Sequence, residues 1–378
     1  MSTILETTNN AGWLRFVFEN FPKMPELVEV ENFRQLLLSL KNETCSSSSS
    51  QLKVLTPSPL PPKVFPSPSE FKLLEKCSVR DVERKGKLLR LVLCPQKGSN
   101  SSHYLYLHMG MTGRISTPEN IPSLESLAST DTFPPPHTHL ILSMDEKQVA
   151  YSDPRKFGAI SFGEPLSSQW DSFALDALDP NASLAKLVNC RKGVKALLLD
   201  QRAVVSGVGN WIADEILYQS KIHPDQSFLT SDEVDALGKC LDFVLRRGIA
   251  CLSANEPFPT DWIFHRRWSK KSGEKLLDRN GKSITFLKSG GRTSAIVPSI
   301  QKKKARKSLV IDEKPAENVG GAKEEKRRRK PSVDEKELPV TANSEDHKKV
   351  VDSPSRHLER KSKRIAMTRR RSQRLVPK

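Results

Sequence analysis

Cysteine is scarce and badly placed for metal. The six residues, Cys45, Cys77, Cys94, Cys190, Cys240 and Cys251, are scattered and include no Cys-x-x-Cys pair. Such spacing argues against a thiolate zinc site or a disulfide framework and fits a reducing compartment. Long apolar runs are missing as well: none approaches the roughly 18 residues of a membrane span. The first 23 residues lack an apolar secretory core, and Glu6 and Glu19 suit an organelle presequence poorly. Aromatics vanish from the last 77 residues, Lys302–Lys378, which contain no Phe, Trp or Tyr.

That aromatic-free segment is rich in positive charge. It carries 25 Lys and Arg against 12 Asp and Glu, so +13 of the chain's net +17 lies there. A basic tail on a near-neutral body points to nucleic acid or a nuclear address rather than to a basic enzyme core. The runs Lys302–Lys307, Lys326–Lys330 and Arg369–Arg371 predict a disordered tail over 302–378. The whole chain of 378 residues is long enough for two or three domains.

The body changes character along its length. After Met24, Val30, Phe33, Leu37 and Leu40 recur at roughly helical spacing, predicting one amphipathic helix from near Glu29 to before Cys45. Ser and Pro dominate from there to Ser69, the composition of an exposed loop. Four β-like runs follow, Lys87–Leu93, Tyr104–His108, His139–Ser143 and Ala159–Phe162, and their spacing predicts a sandwich or barrel. Residues 186–252 read as helical, with apolar spacing at Val194, Leu197, Leu198 and again at Val234, Leu237, Leu241, Val244 and Leu245. From Trp262 the pattern returns to strand, with an Asn280-Gly281 hairpin turn and a second turn, Ser289-Gly290-Gly291, that leaves Arg292 at its exit.

Several motifs admit two readings. Gly207-x-Gly209 lacks the third glycine of a dinucleotide fingerprint and follows helix rather than strand. It is either a tight inter-helical turn or, with Asn210 at a helix start, a set of free N–H groups that favours a phosphate. Asp153-Pro154-Arg155-Lys156-Phe157 is either a solvated turn with Phe157 tucked into the core or a wedge whose ring enters a base stack. Met111 is core filler or a second intercalating side chain. Lys87, in Arg84-Lys85-Gly86-Lys87, is by itself an ordinary solvent-facing cation.

Taken in order, the blocks MPELVEVE (24–31), RKGK (84–87), HMGMTG (108–113), HTHLIL (137–142), DPRKFGA (153–159), SGVGNWIADEILYQSKIHP (206–224) and GGRTSAIVP (290–298) cover about residues 24–301. As a set they resemble the formamidopyrimidine-DNA glycosylase/endonuclease VIII family of base-excision repair enzymes, most of all its plant and fungal branch. The resemblance implies an α+β multidomain fold: an N-terminal β-sandwich with flanking helices over 24–165, a linker 166–185, a helix–two-turn–helix domain 186–260, and a zincless finger of β-hairpins over 261–301. It implies damaged double-stranded DNA as partner, a monomer, no membrane, no metal and no cofactor, and the basic tail fits a nuclear location.

Roles follow by matching position. Pro25 is the implied nucleophile and Glu26 the acid/base beside it, while Lys87 and Arg292 bind the phosphates flanking the lesion and assist proton transfer. His108, His137, Arg155, Arg191 and Asn210 contact DNA, and Met111, Arg155 and Phe157 fill the gap left by an extruded nucleotide. The implied reaction is excision of oxidised bases, ring-opened formamidopyrimidines or 8-oxoguanine, through a proline Schiff base and β,δ-elimination.

Three departures matter. Only a proline that begins a chain is a secondary amine; within a chain its nitrogen is an amide with a delocalised lone pair. Synthesis starting at Met24, cleavage of a leader after Met24, or a non-catalytic damaged-DNA-binding protein that retains 1–23 would each resolve this. Val28 stands where the family usually has proline, and the segment 251–261 is shorter than the loop that caps 8-oxoguanine in bacterial relatives. His265 invites a zinc reading, but it has no cysteine or second histidine at ligand spacing.

Overall fold

A computed structural model describes residues 24–42, 52–57, 67–95, 102–122, 130–163, 166–188, 190–267 and 275–305. The extension 1–23 and the tail from residue 306 lie outside the described residues. The chain divides into units 1–314 and 315–378, and the first holds every described residue.

Helix α1 spans Leu27–Leu37 and tightens into a 3-10 turn at Leu38–Leu40. It begins two residues before the expected Glu29, because the Glu29 carboxylate turns back to accept the Glu26 N–H at 2.9 Å and satisfies a donor that the helix start would otherwise leave open. Its apolar residues serve two cores. Val30, Phe33 and Leu37 enter the core of the β half, whereas Leu27 and Val28 enter that of the helical half. Each buried side chain of this size contributes about 1.5–3 kcal/mol, so α1 is held from both sides and its first residues are set between the halves.

The β half is a sandwich of two four-stranded antiparallel sheets. One runs β1 (Lys53–Leu55), β6 (Thr138–Met144), β7 (Lys147–Ser152), β5 (Arg114–Ser116). The other runs β2 (Cys77–Lys85), β3 (Leu88–Pro95), β4 (His103–His108), β8 (Ala159–Phe162). Leu89, Leu91, Leu105, Leu107 and Ile160 from one sheet meet Leu140, Leu142, Val149 and Tyr151 from the other. The four predicted strands are β3, β4, β6 and β8. Strand β2 escapes sequence reading because its register shifts between Val79 and Asp81, which breaks the alternation of apolar and charged residues. The Ser/Pro-rich stretch read as loop contains edge strand β1, and helix α2 (Pro68–Leu74) starts inside it, with Ser67 and Glu70 forming a capping box.

Residues 166–185 are not a bare linker. They open with helix α3 (Leu166–Ser172), whose Leu166 and Trp170 pack on Leu88 and Tyr106 of the sandwich. The helical half comprises α4 (Val194–Leu199), α5 (Asn210–Gln219) and α6 (Ser231–Ser253). The periodic residues of α6, Val234, Leu237, Leu241, Val244 and Leu245, are all buried as their spacing requires. Beyond it, Asn280-Gly281 does turn the chain, but only a single bridge, Leu277 to Ser283, forms across it. The extended pairing is β9 (Thr285–Ser289) with β10 (Arg292–Ile296), closed by Gly290-Gly291. A small core of Tyr218, Ile263, Ile284, Ala295 and Val297 fastens this module to α5. The tail starts later than its composition suggests: the Lys304 N–H donates to Gln226 at 2.8 Å and its ammonium to Glu233 at 2.6 Å, so 302–305 lie against the folded body.

Candidate active site

Helix α5 has no side-chain cap of its own. Its open N–H groups are taken by a carboxylate from far away in sequence: Trp211 N–H donates to Glu26 at 2.9 Å and Ile212 N–H at 3.1 Å. The positive end of the helix therefore holds Glu26 rather than leaving these amides free for a phosphate, which corrects the anion-site reading of the Gly207–Asn210 turn. Gly209 permits this approach; a Cβ there would lie 2.1 Å from the Glu26 carboxyl carbon. Glu26 is buried, and burial pushes its carboxyl above the usual range against the opposing pull of Lys87, the two amides and Arg267. Glu29 sits behind it, accepting Trp211 Nε1–H at 3.1 Å, and is pushed up to about 7 by burial and by the charge of Glu26.

Lys87 faces this pair of acids. It follows a turn pinned to the helical half: Asp176 accepts the Gly86 N–H at 2.6 Å and also pairs with Arg84, which in turn reaches Glu31 at 2.8 Å. Burial lowers the Lys87 ammonium, Glu26 and Glu29 oppose that, and Arg292 adds to it. His108 is lowered by burial and by Lys87. Its Nδ1 accepts the Gly110 N–H at 3.1 Å, which in the neutral ring leaves the proton on Nε2. Arg292 is exposed at the start of β10, and the next residue, Thr293, accepts the Asn210 side-chain amide at 3.3 Å. The other side-chain atom of Asn210, Oδ1, is buried and unpartnered. Pro25 is buried directly before Glu26. Pro25, Glu26, Lys87, His108, Asn210 and Arg292 thus converge from five segments.

The second group is built on Asp153, which is fully buried. Its carboxylate accepts the Thr112 hydroxyl, the Arg155 N–H at 3.2 Å and the Gly158 N–H at 2.7 Å, and its own N–H donates to the His137 carbonyl at 3.0 Å. Both candidate loops are thereby locked together. Gly110 has φ +57° and would place a Cβ 2.3 Å from the Phe157 carbonyl carbon, so only glycine allows the two backbones to touch. Phe157 is 54% exposed and not tucked into the core. The Arg155 guanidinium lies 4.6 Å from its ring centroid, and Met111 stands half-buried nearby in the chain from Gly110. Arg191 is exposed before α4, and no hydrogen bond or ion pair joins it to either group among the described residues.

The sequence matches two family descriptions in tandem: the formamidopyrimidine-DNA glycosylase N-terminal domain over residues 24–160 and the formamidopyrimidine-DNA glycosylase H2TH domain over residues 171–255. The chain belongs to the formamidopyrimidine-DNA glycosylase family. The formamidopyrimidine-DNA glycosylase of Arabidopsis thaliana is 30% identical over 295 residues, covering 74% of this chain and 71% of the relative. That of Pelobacter propionicus is 32% identical over 238 residues, covering 60% of this chain and 79% of the relative. The fold is also that of the Lactococcus lactis formamidopyrimidine-DNA glycosylase in a structure with DNA containing an abasic site, with TM-score 0.54, 21% identity, and coverage of 74% of this chain and all of the other.

For this member of a DNA repair glycosylase family, sequence reading missed the support beneath the site. Asp214, on α5 one turn after Asn210, is 2% exposed and accepts Lys195 Nζ at 2.5 Å, Arg267 at 2.8 Å and the Ala295 N–H at 3.2 Å. Lys195 also donates to Ser294 Oγ at 2.5 Å. These contacts fasten α4, α5 and β10 to one another around a buried charge cluster. A signal existed in Lys195, the single charge in an otherwise apolar helical run, and in the adjacent acids Asp214 and Glu215 of α5, but it did not identify their partners. His265 points Nε2 at the Phe258 and Pro259 carbonyls, 3.2 and 3.0 Å away, so that nitrogen donates a proton and offers no lone pair to a metal.

Proposed function

We propose that the chain, once Pro25 is its first residue, is a bifunctional DNA glycosylase and abasic-site lyase acting on oxidised bases. The reading rests above all on the convergence of Pro25, Glu26, Lys87 and Arg292 from separate segments. A damaged base cannot be reached within a duplex and must be flipped out, at a cost of a few kcal/mol. Met111, Arg155 and Phe157 enter the space it leaves and offset part of that cost. His108, His137, Arg191 and Asn210 hold the backbone, and Lys87 and Arg292 hold the phosphates flanking the lesion.

The free proline amine then attacks C1′ of the lesion sugar while Glu26 protonates the ring oxygen, and the base leaves with a proton. The amine lone pair then expels the protonated ring oxygen, so the C1′–O4′ bond breaks, the sugar opens and a C1′ iminium ion forms. This accepts electrons as a C2′ proton departs and the 3′ phosphate is expelled, and a second elimination, with loss of a C4′ proton, expels the 5′ phosphate. Carboxyl help of this kind typically contributes about 10²–10⁴-fold. Ring-opened purines or oxidised pyrimidines are proposed as better substrates than 8-oxoguanine, because the segment 251–261 is shorter than the loop that caps 8-oxoguanine in bacterial relatives. The chemistry uses protein groups alone. The finger 261–301 is proposed to be zincless, held by its own apolar core and by the Tyr218 hydroxyl donating to Asp278 at 3.1 Å.

A second reading, damage binding without excision, is favoured by the Met24–Pro25 peptide bond, which ties up the nitrogen that the chemistry needs. Nicking of duplexes carrying a single formamidopyrimidine separates the two. The protein starting at Pro25 is expected to cut them, and its Glu26→Gln variant to bind with similar affinity while cutting about 10²–10⁴-fold more slowly. Binding without cutting by the chain that starts at Pro25 selects the second reading.

A further inference from the structure

The outer face of the β1-β6-β7-β5 sheet holds a charge with no counter-charge among the described residues. Ile115 points into the sandwich core, so its neighbours Arg114 and Ser116 point the other way, where they lie opposite Ser152 and Ala150 of β7. The Thr117–Asn120 turn follows β5, and the Pro122 and Pro135 carbonyls accept from Arg114 and from Thr138, respectively. Arg114 is 2% exposed, and Ser116 and Ser152 are 0% exposed. Arg114 makes one long contact, Nη1 to the Pro122 carbonyl at 3.4 Å. Its Nε and the hydroxyls of Ser116 and Ser152 have no hydrogen-bond partner, and no carboxylate pairs with Arg114 among the described residues.

A guanidinium cannot shed its proton to escape burial, and an ionised group out of water is costly without a counter-ion. Water could satisfy the two hydroxyls but would leave the positive charge uncompensated. Three groups able to donate, one of them cationic, on directly opposed or adjacent strand positions select an anion. We infer that Arg114, Ser116 and Ser152 form a buried site for a small monovalent inorganic anion of the chloride class. The bound ion would brace β5 at the base of the turn that carries Met111. These residues lie apart from the proposed catalytic groups, so the ion site can fail without the glycosylase reading failing.

The test is thermal denaturation of the full chain at fixed ionic strength, with sodium gluconate replaced stepwise by sodium chloride or bromide. The wild type is expected to gain about 3 °C from either halide, and Arg114→Met to gain nothing beyond its value in gluconate. Equal halide gains in both proteins overturn the site. Because Arg114→Met could disturb folding, crystals of the wild type grown in bromide provide an independent check. An anomalous bromine peak within hydrogen-bond distance of Arg114 Nε and Ser152 Oγ supports the site, and water density there overturns it.

Discussion

Phe157 separates stability from function most clearly. A ring more than half in water contributes little to the fold, yet its loop is held in place by the buried Asp153, which locks the two loops together. Phe157→Ala is therefore expected to leave stability within about 0.5 kcal/mol of wild type. Affinity for duplexes containing an abasic site should fall by about 5- to 150-fold, the worth of roughly 1–3 kcal/mol of lost stacking. A large drop in melting temperature would return Phe157 to the core. Glu215 shows the opposite separation. It is fully buried, accepts the Phe264 N–H at 2.9 Å and is pushed up to about 8 by burial. Its folded value exceeds its unfolded value, so its contribution is complete below about pH 4.5 and is lost as pH rises through about 8. Melting curves should show the Glu215→Gln variant gaining on wild type by several degrees between pH 6 and pH 9; a pH-independent gap would refute the assignment.

At the scale of elements, the site depends on how helix starts and strand exits are fixed. Helix α5 supplies the amides that hold Glu26, and β10 supplies Arg292; Asp214 joins them. Asp214→Asn strips the counter-charge from buried Lys195 and Arg267 and should destabilise by about 3–5 kcal/mol in urea unfolding. Lys195→Met introduced with Asp214→Asn should recover part of this loss. No recovery would mean that the cluster is held by packing alone. Most elements were legible in the sequence because their signals are local: the apolar spacing of α6, the alternation in β3 and β4, the Gly290-Gly291 turn. Strand β2 was hidden by a bulge and α3 by its short length. The Glu26 contact to α5 was not legible, since it joins residues 185 apart. Ordered motifs could gather the site residues, but only tertiary structure shows that Glu26 occupies the helix end, where the sequence left a plain turn and a phosphate site both open.

Across the whole molecule, α1 is the shared part. One face completes the sandwich and the other the helical half, so Pro25 and Glu26 emerge at the junction with Lys87 from one side and Arg292 from the other. Val28, an unexpected residue in family terms, fits here as a buried contact 3.1 Å from where a Cβ on Gly248 would lie. In the proposed reading the arrangement supplies acid, cations and wedge irrespective of what precedes Pro25, whereas Pro25 can serve as nucleophile only when its ring nitrogen is free. Borohydride reduction on DNA containing an abasic site measures this directly. The chain beginning at Pro25 should form a stable covalent complex, and the chain retaining residues 1–24 should form none. A covalent complex of equal yield from the intact longer chain, attached elsewhere than Pro25, would contradict the account.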